Sequence, residues 1–236
     1  MKITKAIVAG VFVAGFGLSL AGAGEVLWKW DGKDLGSWEV KQKDKGGNQW
    51  KVGKPALSTE NEKALVANDG GEALVNVVSG HGQSWDIYSK AKWGGDFRIE
   101  VDVMVPKGAN SGVYVMGEYE VQVLDSYGKE KMGPGDMGAI YGASPAAVNA
   151  CKKPGEWQKY VIDFRAPKFD AAGKKVGNAR FLKVVLNGET LHEEVEMKGP
   201  TPSGVTGKEA AEGPVMFQGD HGPVAYRNLV VTRIGE

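Results

Sequence analysis

The chain is 236 residues long and 42% hydrophobic, and its 29 basic residues are balanced by 29 acidic ones. That balance gives no electrostatic case for nucleic acid or anionic lipid as a partner. Cys151 is the single cysteine, which excludes an intramolecular disulfide, so stability has to come from a core that a chain of this size can build.

Lys2 and Lys5 precede an uncharged apolar run from Ala6 to Leu20, and Ala21-Gly22-Ala23 supplies small residues for cleavage. The pattern predicts a signal peptide over residues 1–23 that is cut after Ala23. The expectation is an exported protein, periplasmic or secreted, formed by residues 24–236 and free of the membrane after cleavage.

The 35 glycines are about twice the usual share, which suits many tight turns better than helices. In chain order, strand signals occur at 25–30, 50–52, 73–78 and 86–89. The clearest strand follows: Phe97, Ile99, Val101, Val103 and Val105 alternate with Arg98, Glu100 and Asp102, the period of a half-buried strand. Pro106 to Gly108 then turns the chain, and the expected outcome is a hairpin with the next stretch.

That stretch is 110–127. Val113, Val115, Val121 and Val123 occupy one parity, while Glu118, Glu120 and Gln122 occupy the other. Read as one strand, it buries the valines and displays two acids and an amide that folding does not require. Gly112 and Gly117 interrupt it, which suggests a bulge or the close approach of another group. Further strands are expected at 157–165, 181–186, 190–195, 215–218 and 224–234, with Asn187-Gly188 as a two-residue hairpin turn. Residues 41–48 and 199–213 read as loops, and 143–151 as a short turn. About ten short strands without a long amphipathic helix predict one all-β domain, a β-sandwich or jelly roll.

Candidate chemistry gathers in two places. Glu120, Gln122 and Asp125 lie at i, i+2 and i+5, and the first two share a face of the strand. Asp125 joins them only through a bulge. Tyr119, Tyr127 and Tyr141 flank this group and favour a binding surface. The second place is Gln218-Gly-Asp-His-Gly-Pro223, where His221 sits between glycines and can act as base, acid or ligand. His81 and His192 look less well placed. Trp85, Trp93 and Trp157 can stack on sugar rings, although core burial is the commoner fate of Trp in a sandwich. Three histidines and one cysteine argue against structural zinc. A divalent metal such as calcium, held by aspartates and loop carbonyls, leaves no motif and stays open. The sequence lacks G-x-S-x-G, Walker A, H-E-x-x-H and G-x-G-x-x-G motifs, which removes support for serine-esterase, nucleotide, zincin and Rossmann chemistry.

Several blocks resemble one bacterial family, in order along nearly all of residues 24–236. They are Asn110-Ser-Gly-Val-Tyr, Tyr119-Glu-Val-Gln-Val-Leu-Asp-Ser126, Gly138-Ala-Ile-Tyr-Gly142, Pro154-Gly-Glu-Trp157, Leu186-Asn-Gly188, and Asp220-His-Gly with Arg227-Asn228. The family is the exported 3-keto-disaccharide hydrolases. The resemblance implies a concanavalin A-like jelly roll and cleavage of an oxidised oligosaccharide or glycoside by hydrolysis or elimination. It points to Glu120, His221 and Asp125 for catalysis, and to Gln122, Asn110, Tyr141, Tyr119 and Trp157 for substrate binding. For such a substrate, Glu120 or His221 would be the base, Gln122 or a metal would stabilise an enolate oxygen, and Asp125 would orient His221 or ligate an ion.

A weaker analogy is with retaining glucanases of the same fold, which place E-x-D-x-x-E on a strand. Here Gln122 cannot transfer a proton as a carboxylate would. Five strand residues span roughly 16 Å, against the ~5–5.5 Å that a retaining carboxylate pair needs. Two-carboxylate cleavage of an unoxidised glycoside is therefore disfavoured. A carbohydrate-binding module without catalysis is the other alternative.

Overall fold

Alternating apolar and polar side chains generate seventeen strands in the computed structural model, which describes residues 24–235. The expected signal peptide lies outside the described residues. The strands are β1 (Val26–Lys29), β2 (Trp38–Lys41), β3 (Trp50–Leu57), β4 (Leu65–Asn76), β5 (Asp86–Ser89) and β6 (Trp93–Gly94). β7 (Asp96–Met104), β8 (Asn110–Val115), β9 (Tyr119–Leu124), β10 (Gln158–Arg165), β11 (Lys168–Phe169) and β12 (Lys175–Gly177) follow. β13 (Ala179–Leu186), β14 (Glu189–Met197), β15 (Glu212–Gly213), β16 (Met216–Phe217) and β17 (Val224–Arg233) complete the chain.

Two antiparallel sheets carry the fold. The larger runs β14-β13-β10-β7-β17-β4-β3, with β1 paired to β17, and the smaller runs β2-β5-β16-β8-β9. The protein is an all-β jelly-roll sandwich. Phe97, Ile99, Val101 and Val103 of the larger sheet share one core with Val113, Val115, Val121 and Val123 of the smaller, all fully buried. Burying each such side chain is worth about 1.5–3 kcal/mol. Phe217 and Tyr226 join the sheets by parallel stacking, with ring centroids 3.8 Å apart. The buried Tyr226 hydroxyl bonds the Ser111 hydroxyl at 2.8 Å, which removes the penalty of an unmatched polar group.

Two sequence expectations need correction. The turn at 106–108 does not close a hairpin. β7 is flanked by β10 and β17, so neither of its edges is free, and the chain crosses to the other sheet to begin β8. Nor is 110–127 one strand. Met116, Gly117 and Glu118 form the turn between β8 and β9, where the positive φ of Met116 (54°) and Gly117 (71°) matches the twist of a hairpin. The parity pattern survives the turn because partners such as Val113↔Val121 and Tyr114↔Glu120 face the same way. Asn187 (φ 55°) and Gly188 (φ 93°) form the expected turn between β13 and β14.

Candidate active site

The face of the smaller sheet turned away from the core is unusually polar for a sheet so well covered. Register puts Glu39, Lys41, Asp86, Tyr88, Tyr114 and Glu120 on it, because β2, β5, β16, β8 and β9 pair without a shift. The loop 199–213 lies over part of this face. It is tied down by Glu118, the turn residue after Gly117. The Glu118 carboxylate accepts from the Thr206 amide and hydroxyl, both at 2.8 Å, and from the Gly207 amide at 2.9 Å. Glu118 was expected on the displayed face of a strand; it is instead a buried anchor for the loop.

Beneath that loop Glu120 is 3% exposed. Its carboxylate accepts the Tyr114 hydroxyl at 2.8 Å, and its backbone amide donates to Thr201 Oγ1 at 3.0 Å. Gly112 faces it across the hairpin, and a Cβ there would collide with the carboxylate. This is the close approach that the glycine suggested. Burial pushes the Glu120 pKa up to about 7, against the opposing pull of the Tyr114 hydrogen bond and the charge on His221. Burial and the neighbouring carboxylate push the Tyr114 hydroxyl well above its ordinary value.

Glu120, Gln122, Asn110, Tyr141 and His221 line one cavity of about 110 Å³, with Tyr114 from β8, Gln218 just after β16, and Pro202 and Ser203 from the loop. Gln122 Nε2 donates to Asn110 Oδ1 at 3.0 Å, which joins the two amides and leaves further N–H groups for a ligand. Tyr141 is fixed beside Glu120 because its amide donates to the Glu120 carbonyl at 3.1 Å.

His221 enters from the link between β16 and β17. Its Nδ1 lies 2.5 Å from Asp220 Oδ1, and this hydrogen bond raises the imidazole pKa. Burial resists ionisation of Asp220, but hydrogen bonds from His221 and Lys43 prevail and hold its pKa down to about 2. Lys43 Nζ is 2.6 Å from Asp220 and 2.8 Å from the buried Asp86. Burial works against the Lys43 charge, yet its bonds to Asp220 and Asp86 prevail and raise its pKa. Asp86 also accepts the Gly219 amide at 3.0 Å, and Asn76 Nδ2 donates to the carbonyls of Gly219 at 2.7 Å and Gly222 at 2.9 Å. These bonds fix the turn that presents the histidine.

The remaining expected residues lie elsewhere. Asp125 is engaged away from His221: its carboxylate accepts the Gly108 amide at 2.9 Å from the link between β7 and β8, and the Tyr127 amide at 3.3 Å within its own turn. Asp220 fills the role proposed for it. Tyr119 faces the core against Phe164, 5.2 Å between ring centroids, with its hydroxyl on Glu209. Trp157 lies under the Arg227 guanidinium, 4.0 Å from the ring centroid, in a cleft formed by the larger sheet. Sequence reading missed Lys43 and Asp86, gave no role to Tyr114 and Asp220 within their motifs, and set aside His81, whose ring meets that of His221 edge-on at 4.4 Å. The signal for Asp86 was a charge opening a strand that is otherwise apolar on the core side. Lys43 lies in an irregular loop, where no period marks direction. Among the described residues, no three His, Cys, Asp or Glu side chains are grouped to hold a metal ion.

Comparison with known proteins adds a family. A family model described as a 3-keto-alpha-glucoside-1,2-lyase-like domain matches residues 25–232. A provisionally assigned glycosyl hydrolase from Parabacteroides distasonis is 30% identical at a TM-score of 0.65, with 90% of this chain and 84% of that chain covered. Another from the same organism is 16% identical at a TM-score of 0.53, covering 86% and 91% respectively. No curated protein sequence matches.

Proposed function

The chain belongs to the 3-keto-alpha-glucoside-1,2-lyase-like family, and on that premise we propose that it cleaves 3-keto-glycosides by elimination followed by hydration. The observation that carries the reading is Glu120: a buried carboxylate with a pKa near 7, sharing one small cavity with an imidazole held by Asp220. A carboxylate poised near neutrality is suited to proton transfer.

The C3 ketone acidifies the hydrogen on C2. Glu120 takes that proton, and the C2–H electron pair becomes the C1=C2 bond as the C1–O bond breaks. The charge developing on the C3 oxygen meets N–H donors from the Gln122 and Asn110 amides. His221, whose affinity for a proton is raised by Asp220, gives a proton to the departing oxygen. Water then adds to the enone, its hydroxyl to C1 and a proton to C2, yielding the free 3-keto sugar. Tyr114 holds the Glu120 carboxylate in place throughout. A retaining two-carboxylate route has no partner for Glu120, since Asp125 is engaged in its turn and Asp220 is bound by Lys43 and His221.

The test compares a 3-keto-disaccharide with its unoxidised parent in heavy water. The expected result is cleavage of the keto sugar alone, a transient enone absorbance, and deuterium at C2. Cleavage of the parent alone would favour an ordinary glycosidase, and cleavage of neither would favour a binding module; either result removes the reading. Export is proposed on the pattern of residues 1–23, and N-terminal sequencing of protein recovered outside the cytoplasm should begin at Gly24.

A further inference from the structure

The cavity around Glu120, at about 110 Å³, is well below the ~300 Å³ at which ligand clefts usually begin. It suits one ring and leaves the rest of a glycoside outside. We propose that the adjoining groove between 141–143 and 196–202 is the leaving-group subsite, built for a ring with an apolar face. This assignment rests on the 3-keto-glycoside reading of the Glu120 cavity.

The groove encloses about 510 Å³, and Tyr141 and Pro202 line both it and the cavity. The groove beside Tyr88 and Lys208, by contrast, shares no residue with the Glu120 cavity. Continuity is required because the bond to be broken joins the two halves of the substrate. Tyr141 is 39% exposed, although its amide is tied to the Glu120 carbonyl. A solvent-facing aromatic ring at a cavity mouth leaves apolar surface in water unless something covers it. Pro200, Pro202 and Ala143 add exposed apolar surface around it. At the rim, the Lys198 ammonium and the Glu196 carboxylate can meet hydroxyl groups. Glu196 is already oriented by Arg180 at 3.0 Å. An apolar ring wall with a few polar rim groups fits the face and edge of a pyranose, and a flat aromatic aglycone presents the same apolar face.

The experiment measures calorimetric Kd and turnover for three 3-keto-glucosides: a disaccharide, a phenyl glycoside and the methyl glycoside. Turnover is measured on the full chain, Tyr141→Ala and Ala143→Phe, the last of which fills the groove from an exposed position, and Kd on the same three proteins carrying Glu120→Gln. The expected result is that both variants weaken the disaccharide about two- to tenfold more than the methyl glycoside, the range of one ring-stacking contact. Weakening of the phenyl glycoside alone would replace a sugar by an aromatic leaving group in the same subsite. Equal weakening of all three ligands, or no change in any, would overturn the subsite. Binding is read without turnover, so an inactive wild-type protein would remove the proposed reaction while still deciding the subsite.

Discussion

The Glu120 carboxylate occupies the space that a side chain on Gly112 would fill, across the β8–β9 hairpin. Gly112 does not have a positive φ, so alanine is compatible with its backbone. The Glu120 side chain from Cγ outward would have to move. Gly112→Ala should therefore leave the melting temperature within a few degrees of wild type while displacing the base. A misplacement of about 1 Å costs on the order of 10²-fold in rate. Paired melting and kcat measurements check this, and an unchanged kcat would show that this placement of Glu120 is not needed.

Glu120→Gln keeps the shape and the bond from Tyr114 but cannot accept a proton. kcat on a 3-keto-glucoside should fall by about 10²–10⁴-fold, with KM little changed, because a general base acts in the transition state. Wild-type kcat in this variant would pass the role of base to His221 and make His221→Ala the next measurement.

The raised pKa of Glu120 has a cost in stability with a definite sign. The unfolded carboxyl gives up its proton near 4.5, whereas the folded one holds it to about 7. Between those values folding takes up a proton, so this contribution is fully present below pH 4.5 and is lost as pH rises through 7. A shift of this size corresponds to about 3 kcal/mol. Glu120→Gln should therefore gain stability over wild type as the pH is raised from 5 to 8.5. Denaturant unfolding at several pH values measures it, and a pH-independent difference would show that Glu120 ionises normally.

Lys43 holds two carboxylates together, and one of them, on Asp86, is buried. Lys43→Met should destabilise the fold by about 3 kcal/mol, since a buried charge is left without its partner. It should also raise the His221 pKa, because the ammonium charge opposes protonation of the ring. The alkaline limb of the kcat profile should then move to higher pH. A merely structural lysine would lower stability without moving that limb, so the pH profile separates the two roles.

The core face of the sandwich was readable because its period of two is imposed by burial, as at Phe97 to Val105 and at Val113 to Val123. Sheet membership was not. Whether the chain after Pro106 folds back or crosses depends on β10 and β17 claiming both edges of β7, and those strands lie more than fifty residues further along. Glu120, Gln122 and His221 could be picked out because polar groups on a strand and a glycine-flanked histidine stand apart from folding needs. The roles of Tyr114 and Asp220 could not, although both stand in the motifs that mark the site. A tyrosine among valines reads as core, and an aspartate beside glycines reads as a turn, until the register brings each to its partner.

β16 lies between β5 and β8, and β17 lies between β7 and β4, so residues 216–233 occupy interior positions in both sheets. Neither sheet can therefore close until residues 216–233 are in place. Both sheets then depend on contacts distant in sequence, which predicts folding on the millisecond-to-second scale. The link between those two strands carries Asp220 and His221. Assembly of the sandwich and maturation of the site are thus a single event, and a shortened chain lacking that stretch has no partly active form to occupy.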